Sequence, residues 1–243
     1  MGYRDRIYTN YIKQHFNGHT DPAKVKIQRR YFEKNYACRG ILAKRKDLTV
    51  CDLGCGCGEF VASMSECGYQ RVIGVDISQK TIDYCRKQNI PRAEFVCSDL
   101  LAFLETTNER FDAIIFNDCI EHLQKEEVMD ALIKMHACLK RGGFLYVKTP
   151  NMANPFVNTA GRYIDFTHEV GFTEKSLRQV IEAAGFGRVC IYGTDIYVFN
   201  PIVSVPARII AKMTTYFLWL FSALFGRTGL RIFEKDVLAV ARR

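Results

Sequence analysis

The chain reads as an α/β protein built on a doubly wound, mostly parallel seven-stranded sheet, and three observations predict it. Strand-like apolar runs alternate with amphipathic stretches along most of the chain, the order that parallel crossover units require. A glycine-rich turn, Gly54-Cys55-Gly56-Cys57-Gly58, follows the first of those strands. At 243 residues and 48% apolar composition, the chain can bury one full core.

Each element follows from its local pattern. Residues 23–46 place Val25, Ile27, Tyr31, Phe32, Tyr36, Ile41 and Leu42 at near-helical spacing among many basic residues, which predicts one or two amphipathic helices ahead of the sheet. TVCDL is a strand, GEFVASMSECG a helix closed by Gly68, RVIGVDIS a strand, and QKTIDYCRKQN a helix stopped by Pro91. AEFVCSD is a third strand, and FDAIIFND a fourth, apolar enough for burial on both faces. KEEVMDALIKMHACLKRGG predicts a helix with a glycine stop, followed by strand FLYVKTPN. TEKSLRQVIEAAGFG opens on a Thr cap and leads to strand RVCIYG. RIFEKDVLAVARR closes the sheet. The organisation is a single domain, 1–243: a helical arm over 1–47, a ligand-binding core over 48–193, an apolar insertion over 194–230 and a closing strand over 231–243.

Composition narrows the class. The ten cysteines are scattered through strands and helices rather than spaced as a disulfide framework, which predicts a reducing, cytoplasmic setting. The first residues lack an apolar h-region, and no run of about 20 apolar residues exists to span a bilayer. The net charge of +8 is uneven: residues 1–50 hold 12 Lys/Arg against 4 Asp/Glu, residues 51–200 hold 15 against 20, and residues 201–243 hold 7 against 2. Without a nucleic-acid-binding motif at either end, this disfavours nucleic acid and points to a solvated face or an anionic surface.

The glycine turn admits three readings. Cys51, Cys55, Cys57 and Cys67 have no zinc or iron–sulfur spacing, so a metal is not expected there. A dinucleotide loop needs G-x-G-x-x-G, and Glu59 occupies its third glycine position. What remains is Asp52 at a strand end, then Gly54, Gly56 and Gly58, which let backbone turn and approach a ligand.

This pattern resembles the first motif, D/E-x-G-x-G-x-G, of the class I S-adenosylmethionine-dependent methyltransferases, whose fold is Rossmann-like. The resemblance runs through most of residues 48–192, and it implies S-adenosyl-L-methionine as cofactor. Asp76 in GVDIS is implied to take the ribose hydroxyls, with Ile77 on the adenine. In CSDL, Ser98, Asp99 and Leu100 are implied at the adenine edge. Asn117 and Asp118 in FNDCIEHL are implied at the methyl-donor end. With Asp52, Gly54, Cys55, Gly56 and Gly58, these form the expected cofactor set. Taken singly, each Asp would as readily be a turn or cap residue.

An alcohol acceptor needs a proton removed, so a base is expected near the methyl. His15 and His19 lie in the polar arm, and His136 falls inside a helix. His122 follows the fourth strand, and His168 sits in YIDFTHEVGFTEKSL, ahead of the next helix. His168 is taken as the base or acceptor-orienting residue, with Asp165 or His122 as helper. Asp118, Glu121 and Asp165 could supply oxygens to a divalent metal, but no spacing compels one.

TPN together with T-H-x-x-x-F-T resembles methyltransferases of bacterial surface-polysaccharide and sugar modification, and those of the ubiquinone pathway. The resemblance implies O-methylation of a sugar hydroxyl in a glycan or lipid-linked glycan. A quinone-type phenol or other small molecule is the second acceptor, and a non-catalytic cofactor- or RNA-binding module the reading from another class. N-P-P-[YF], common in amino-group methyltransferases, is absent where NDCI stands.

Residues 195–230 form a connection longer than the sheet needs. Its densest apolar part, Met213 to Phe225, is too short to cross a bilayer and is flanked by Arg208, Lys212 and Arg227. A lid or a homodimer face would suit it. Trp219, Phe217, Phe221 and Phe225 beside basic flanks also fit peripheral contact, through 201–227, with the inner face of a membrane.

Overall fold

The strands are β1 (Thr49–Leu53), β2 (Arg71–Asp76), β3 (Ala93–Cys97), β4 (Phe111–Asn117), β5 (Leu139–Pro150), β6 (Gly187–Gly193) and β7 (Asp236–Arg242). They form one seven-stranded sheet ordered β3-β2-β1-β4-β5-β7-β6. Six strands, β1 to β6, run in one direction, and β7 inserts antiparallel between β5 and β6. The computed structural model describes residue 7 and residues 22–156, 158–194, 201–226 and 229–243. His15, His19, Arg227 and most of the expected helical arm lie outside the described residues.

Helices cover both faces, which is why the central strands carry apolar residues on both. On one face, α4 (Leu100–Thr106), α5 (Lys125–Cys138) and α7 (Glu174–Ala183) bury Leu104, Leu132, Met135, Leu177 and Ile181 against Ile114, Phe116, Leu145 and Val147. On the other, α1 (Pro22–Asn35), α2 (Glu59–Glu66) and α3 (Gln79–Lys87) bury Phe32, Val61, Met64 and Ile82 against Val50, Val72 and Ile115. Phe32 meets Phe60 and Tyr69 edge-on at 5.1 and 5.9 Å, anchoring α1 to the sheet.

Caps set the boundaries read from sequence. The Ser78 side chain accepts from Thr81 N at the start of α3, and Thr173 accepts from Ser176 N at the start of α7. One boundary differs. The helix expected over 125–143 stops at Cys138, because buried Leu139 already pairs with Phe111, and Gly142 and Gly143 fall within β5. Two short helices escaped the sequence pattern, α4 and α6 (Asn158–Ile164). The insertion contains a 24-residue helix, α8 (Pro201–Leu224), ahead of the closing strand.

Candidate functional site

In a parallel sheet, ligands collect where strands release their chains into loops, at the carboxyl ends. A cavity of about 510 Å³ opens there, bounded by the ends of β1 to β5. Eleven of the twelve residues expected to hold the cofactor line it: Asp52, Gly54, Cys55, Gly56, Asp76, Ile77, Ser98, Asp99, Leu100, Asn117 and Asp118.

Gly58 is the exception. It takes φ 79° and starts α2, where an added Cβ would stand 3.1 Å from Cys85 Sγ and 3.4 Å from the Phe95 ring. Its role is the helix turn and its packing. Gly54, at φ 74°, is required for closeness as well: a Cβ would fall 2.2 Å from Cys119 Sγ.

The acids divide by their surroundings. Asp76 Oδ1 accepts from Ser78 N at 2.8 Å and Oδ2 from Gly56 N at 3.1 Å, which fixes the carboxylate plane at the cavity wall. Burial raises its pKa, and those two N–H groups oppose the rise. Asp52 is buried deeper, and burial, then the charges of Asp76 and Glu59, push its pKa up to about 8. Asp99 Oδ1 accepts from Leu101 N and Ala102 N, so this residue caps α4 at the cavity edge. Ile77 is 55% exposed, an apolar surface left open at the rim.

At the far end lies a cluster that the sequence did not announce. Lys148, on β5, ion-pairs with Asp118 and stands 5.6 Å from the Tyr31 ring centroid. Burial works against its charge, but Asp118, then Tyr31, Tyr36 and Asp236, hold its pKa above the ordinary lysine value. Asp118 itself sits at φ 49°, a left-handed turn that Asp tolerates, with its N–H donating to Lys148 O. Tyr36 donates to Asn117 Oδ1 at 2.7 Å. Gln28 and Tyr31 bring α1 into the cavity wall.

Of the three residues expected to be catalytic, His122 lines the cavity, and His168 and Asp165 stand behind it. His122 belongs to a 3-10 turn, Ile120–His122, that closes β4. Its Nδ1 lies 2.7 Å from Thr167 Oγ1, and Thr167 donates that hydroxyl to Asp165 Oδ1 at 2.7 Å. With the threonine proton committed to Asp165, Nδ1 of His122 is the donor and Nε2 keeps its lone pair. Burial, then His168, push the His122 pKa down to about 4, so the ring is neutral at physiological pH. The His168 ring centroid lies 4.7 Å from that of His122, and its Nδ1 faces Gly161 O at 3.1 Å. Arg162 clamps the loop by donating to the carbonyls of His168 and Glu169.

Glu121 lies beneath the histidines. It accepts from Thr149 Oγ1 at 3.0 Å, and burial, then Asp118, push its pKa up to about 8. Glu121, His122 and His168 offer ligand atoms within 4.8 Å of one another, the one such group of three among the described residues. Of the carboxylates weighed from sequence as oxygen donors, this group contains Glu121 alone. All ten cysteines are free thiols.

Residues 50–143 match the family described as methyltransferase domain. Among curated proteins, the mitochondrial ubiquinone biosynthesis O-methyltransferases of Dictyostelium discoideum and Homo sapiens are 29% and 31% identical, each over 43% of this chain, and over 36% and 29% of their own length. The chain thus spans about a third of those relatives. Among solved structures, a SAM-dependent methyltransferase from Archaeoglobus fulgidus superposes with TM-score 0.66 at 19% identity, covering 97% of this chain and 99% of that one. The N-methyltransferase NodS of Bradyrhizobium japonicum, solved with S-adenosyl-L-homocysteine, superposes with TM-score 0.57 at 14% identity, over 92% and 89%. At these identities the likeness is one of fold.

Proposed function

We propose that this chain, a class I S-adenosylmethionine-dependent methyltransferase by fold and by the domain at residues 50–143, methylates a hydroxyl oxygen of a small-molecule or glycan acceptor. The observation that carries the reading is the convergence of eleven residues, expected from separate motifs, on one cavity. The donor set fits S-adenosyl-L-methionine: each Asp76 oxygen spends one bond on backbone N–H, and a carboxylate has about four acceptor sites, enough for a ribose diol. Bound there, the cofactor supplies a sulfonium methyl open to in-line displacement.

The chain's own residues then have two tasks. Asp76 and the Gly54–Gly56 backbone orient the cofactor, which is the larger part of catalysis when reaction is mostly alignment. His122 Nε2 removes the acceptor proton, and the Thr167–Asp165 pair stabilises the imidazolium that forms. His168 packs on the same ring and positions it.

A sugar hydroxyl in a glycan or lipid-linked glycan is the first acceptor class, because an alcohol gives up its proton reluctantly and the His122–Thr167–Asp165 line is what such an acceptor needs. A quinone-type phenol is the second reading, favoured by the two ubiquinone-pathway relatives. Calorimetry should find S-adenosyl-L-homocysteine binding, weakened by about 2 kcal/mol or more in Asp76→Ala through loss of charge-assisted bonds. Transfer of labelled methyl to extracted saccharide lipids supports the first acceptor, and transfer to catechol-type quinone precursors the second. Binding without transfer to either would make the protein a cofactor-binding module.

A further inference from the structure

Helix α8 is built inside out. The described residues of a helix this long would ordinarily turn an apolar stripe to the core, yet none of α8's is buried. Its half-covered positions, Ala207, Arg208, Ala211, Thr214, Thr215, Ser222 and Ala223, are mostly small or polar, with Arg208 and Leu218 the large exceptions. Its outward positions are large and apolar: Ile209, Met213, Phe217, Phe221 and Leu224 are each more than half exposed. At 3.6 residues per turn, the exposed apolar set from Trp219 round to Phe221 covers an arc of about 200°.

We propose that α8 docks the protein on an anionic lipid surface. Three observations choose lipid over a second copy of the chain. The arc is about twice the width of an ordinary core-facing stripe, so a single partner helix would leave much of it wet, whereas a lipid surface takes the whole arc. Charge is complementary: α8 contains no acid, and exposed Lys212 lies on the edge beside Trp219, with half-covered Arg208 one turn before it, the arrangement of an interfacial helix. No helix among the described residues is long and apolar enough to cross a membrane, so the contact is peripheral.

The placement gives the contact a purpose. Gly193, which ends β6, pairs with Val237 near the start of β7, and Asp236 pairs with Pro150 at the end of β5. The connection carrying α8 therefore leaves and rejoins the sheet at the carboxyl end of β5, the rim that also holds the histidines. Tyr163 and Ile164, which end α6, and Phe166, on the loop leading to His168, are each 80% exposed or more. A lipid surface met by α8 lies on the side from which a lipid-borne acceptor would arrive.

The full chain supplies its own probe, because Trp219 is its single tryptophan. Co-sedimentation with vesicles of equal parts phosphatidylglycerol and phosphatidylcholine should pellet the protein at low salt and release it at high salt, with Trp219 emission shifting to the blue on binding. Phe217→Ser with Phe221→Ser should weaken partitioning about tenfold or more, and Lys212→Glu should weaken it on the anionic vesicles alone. S-adenosyl-L-homocysteine binding should be unchanged in all variants, which checks the fold independently of methyl transfer. A stable dimer with blue emission that vesicles do not alter would overturn the proposal in favour of a homodimer face. A monomer that ignores vesicles would overturn it in favour of a lid.

Discussion

The sheet's two flanks are stabilised in different ways. Around β1, β2 and β3, each loop is short and each acid belongs to the strand that precedes it: Asp52 lies in β1, Asp76 ends β2, and Asp99 follows β3. Beyond β5, the chain is held by side chains that reach across long sequence separations. Buried Asn151 donates to the carbonyls of Ile232 and Glu234, Asn154 to Phe233 O, and Asn158 to Lys235 O. Glu174 accepts from the N–H groups of Arg231 and Ile232. The first flank places its acids locally, each beside its own strand; the second is a polar lattice tying 151–158 and 174 to 231–235. Most of the expected cofactor residues lie on the first flank, and if the proposed acceptor meets the second, changes to that lattice should leave the first undisturbed.

The sharpest way to break this contrast is at the first flank. Gly54→Val should abolish cofactor binding by calorimetry, since even a Cβ would collide with Cys119 Sγ and φ 74° strains any branched residue. Retained affinity would mean that the loop is not the cofactor wall.

Next in size is the junction of the flanks. His122→Ala should lower single-turnover rates by ~10²-fold or more with cofactor affinity intact. His168→Ala should cost less, because its ring stands behind that of His122. The reverse order would give the proton to His168.

A smaller effect belongs to the second flank alone. Asn154→Ala leaves the carbonyl of Phe233 unpaired and should cost about 1–3 kcal/mol in urea unfolding. Calorimetric affinity for S-adenosyl-L-homocysteine should not change, and a change there would mean that the flanks are coupled.

A further effect concerns pH. The native state holds a proton on Asp52 up to about pH 8, and the unfolded chain releases it near pH 4. Between those values the native state binds the extra proton, so Asp52 favours folding below the window and loses that contribution as pH rises through it. Asp52→Asn should flatten the fall in Tm between pH 5 and pH 8, by about 2–4 °C for each kcal/mol of this linkage in a domain of this size. An unchanged profile would mean that Asp52 is ionised in the native state.

Legibility in sequence follows the same division. Asp52, Asp76 and Asp99 could be read because each stands next to the strand that places it, and a strand pattern is a local signal. Gly58 stands at a helix start outside the cavity lining, a position that alternation cannot separate from ligand contact. Tyr31, Lys148 and Thr167 reach the site from elements remote in sequence. Only Lys148 carried a local hint, a lone charge in the apolar run FLYVKTPN. Thr167 gives Asp165 its path to His122, and nothing in a one-dimensional pattern reports a hydrogen bond over 45 positions. The helix ending at Cys138 shows the limit from another side: glycines at 142 and 143 are a fair stop signal, but pairing of Leu139 with Phe111 ends the helix first.

The antiparallel pairing of β6 with β7 makes the insertion an exchangeable cassette. Its two ends are kept side by side by the register of Gly193 on Val237, whatever lies between them. Loop-closure entropy grows slowly, by about 0.6 kcal/mol for each doubling of length, so residues 195–230, which lie outside the lattice at 231–235, could be shortened, lengthened or traded for another module with little penalty to the sheet. Under the proposed docking of α8, the place of action would be set by a segment that the proposed chemistry does not use, and rewriting that segment alone should relocate the protein.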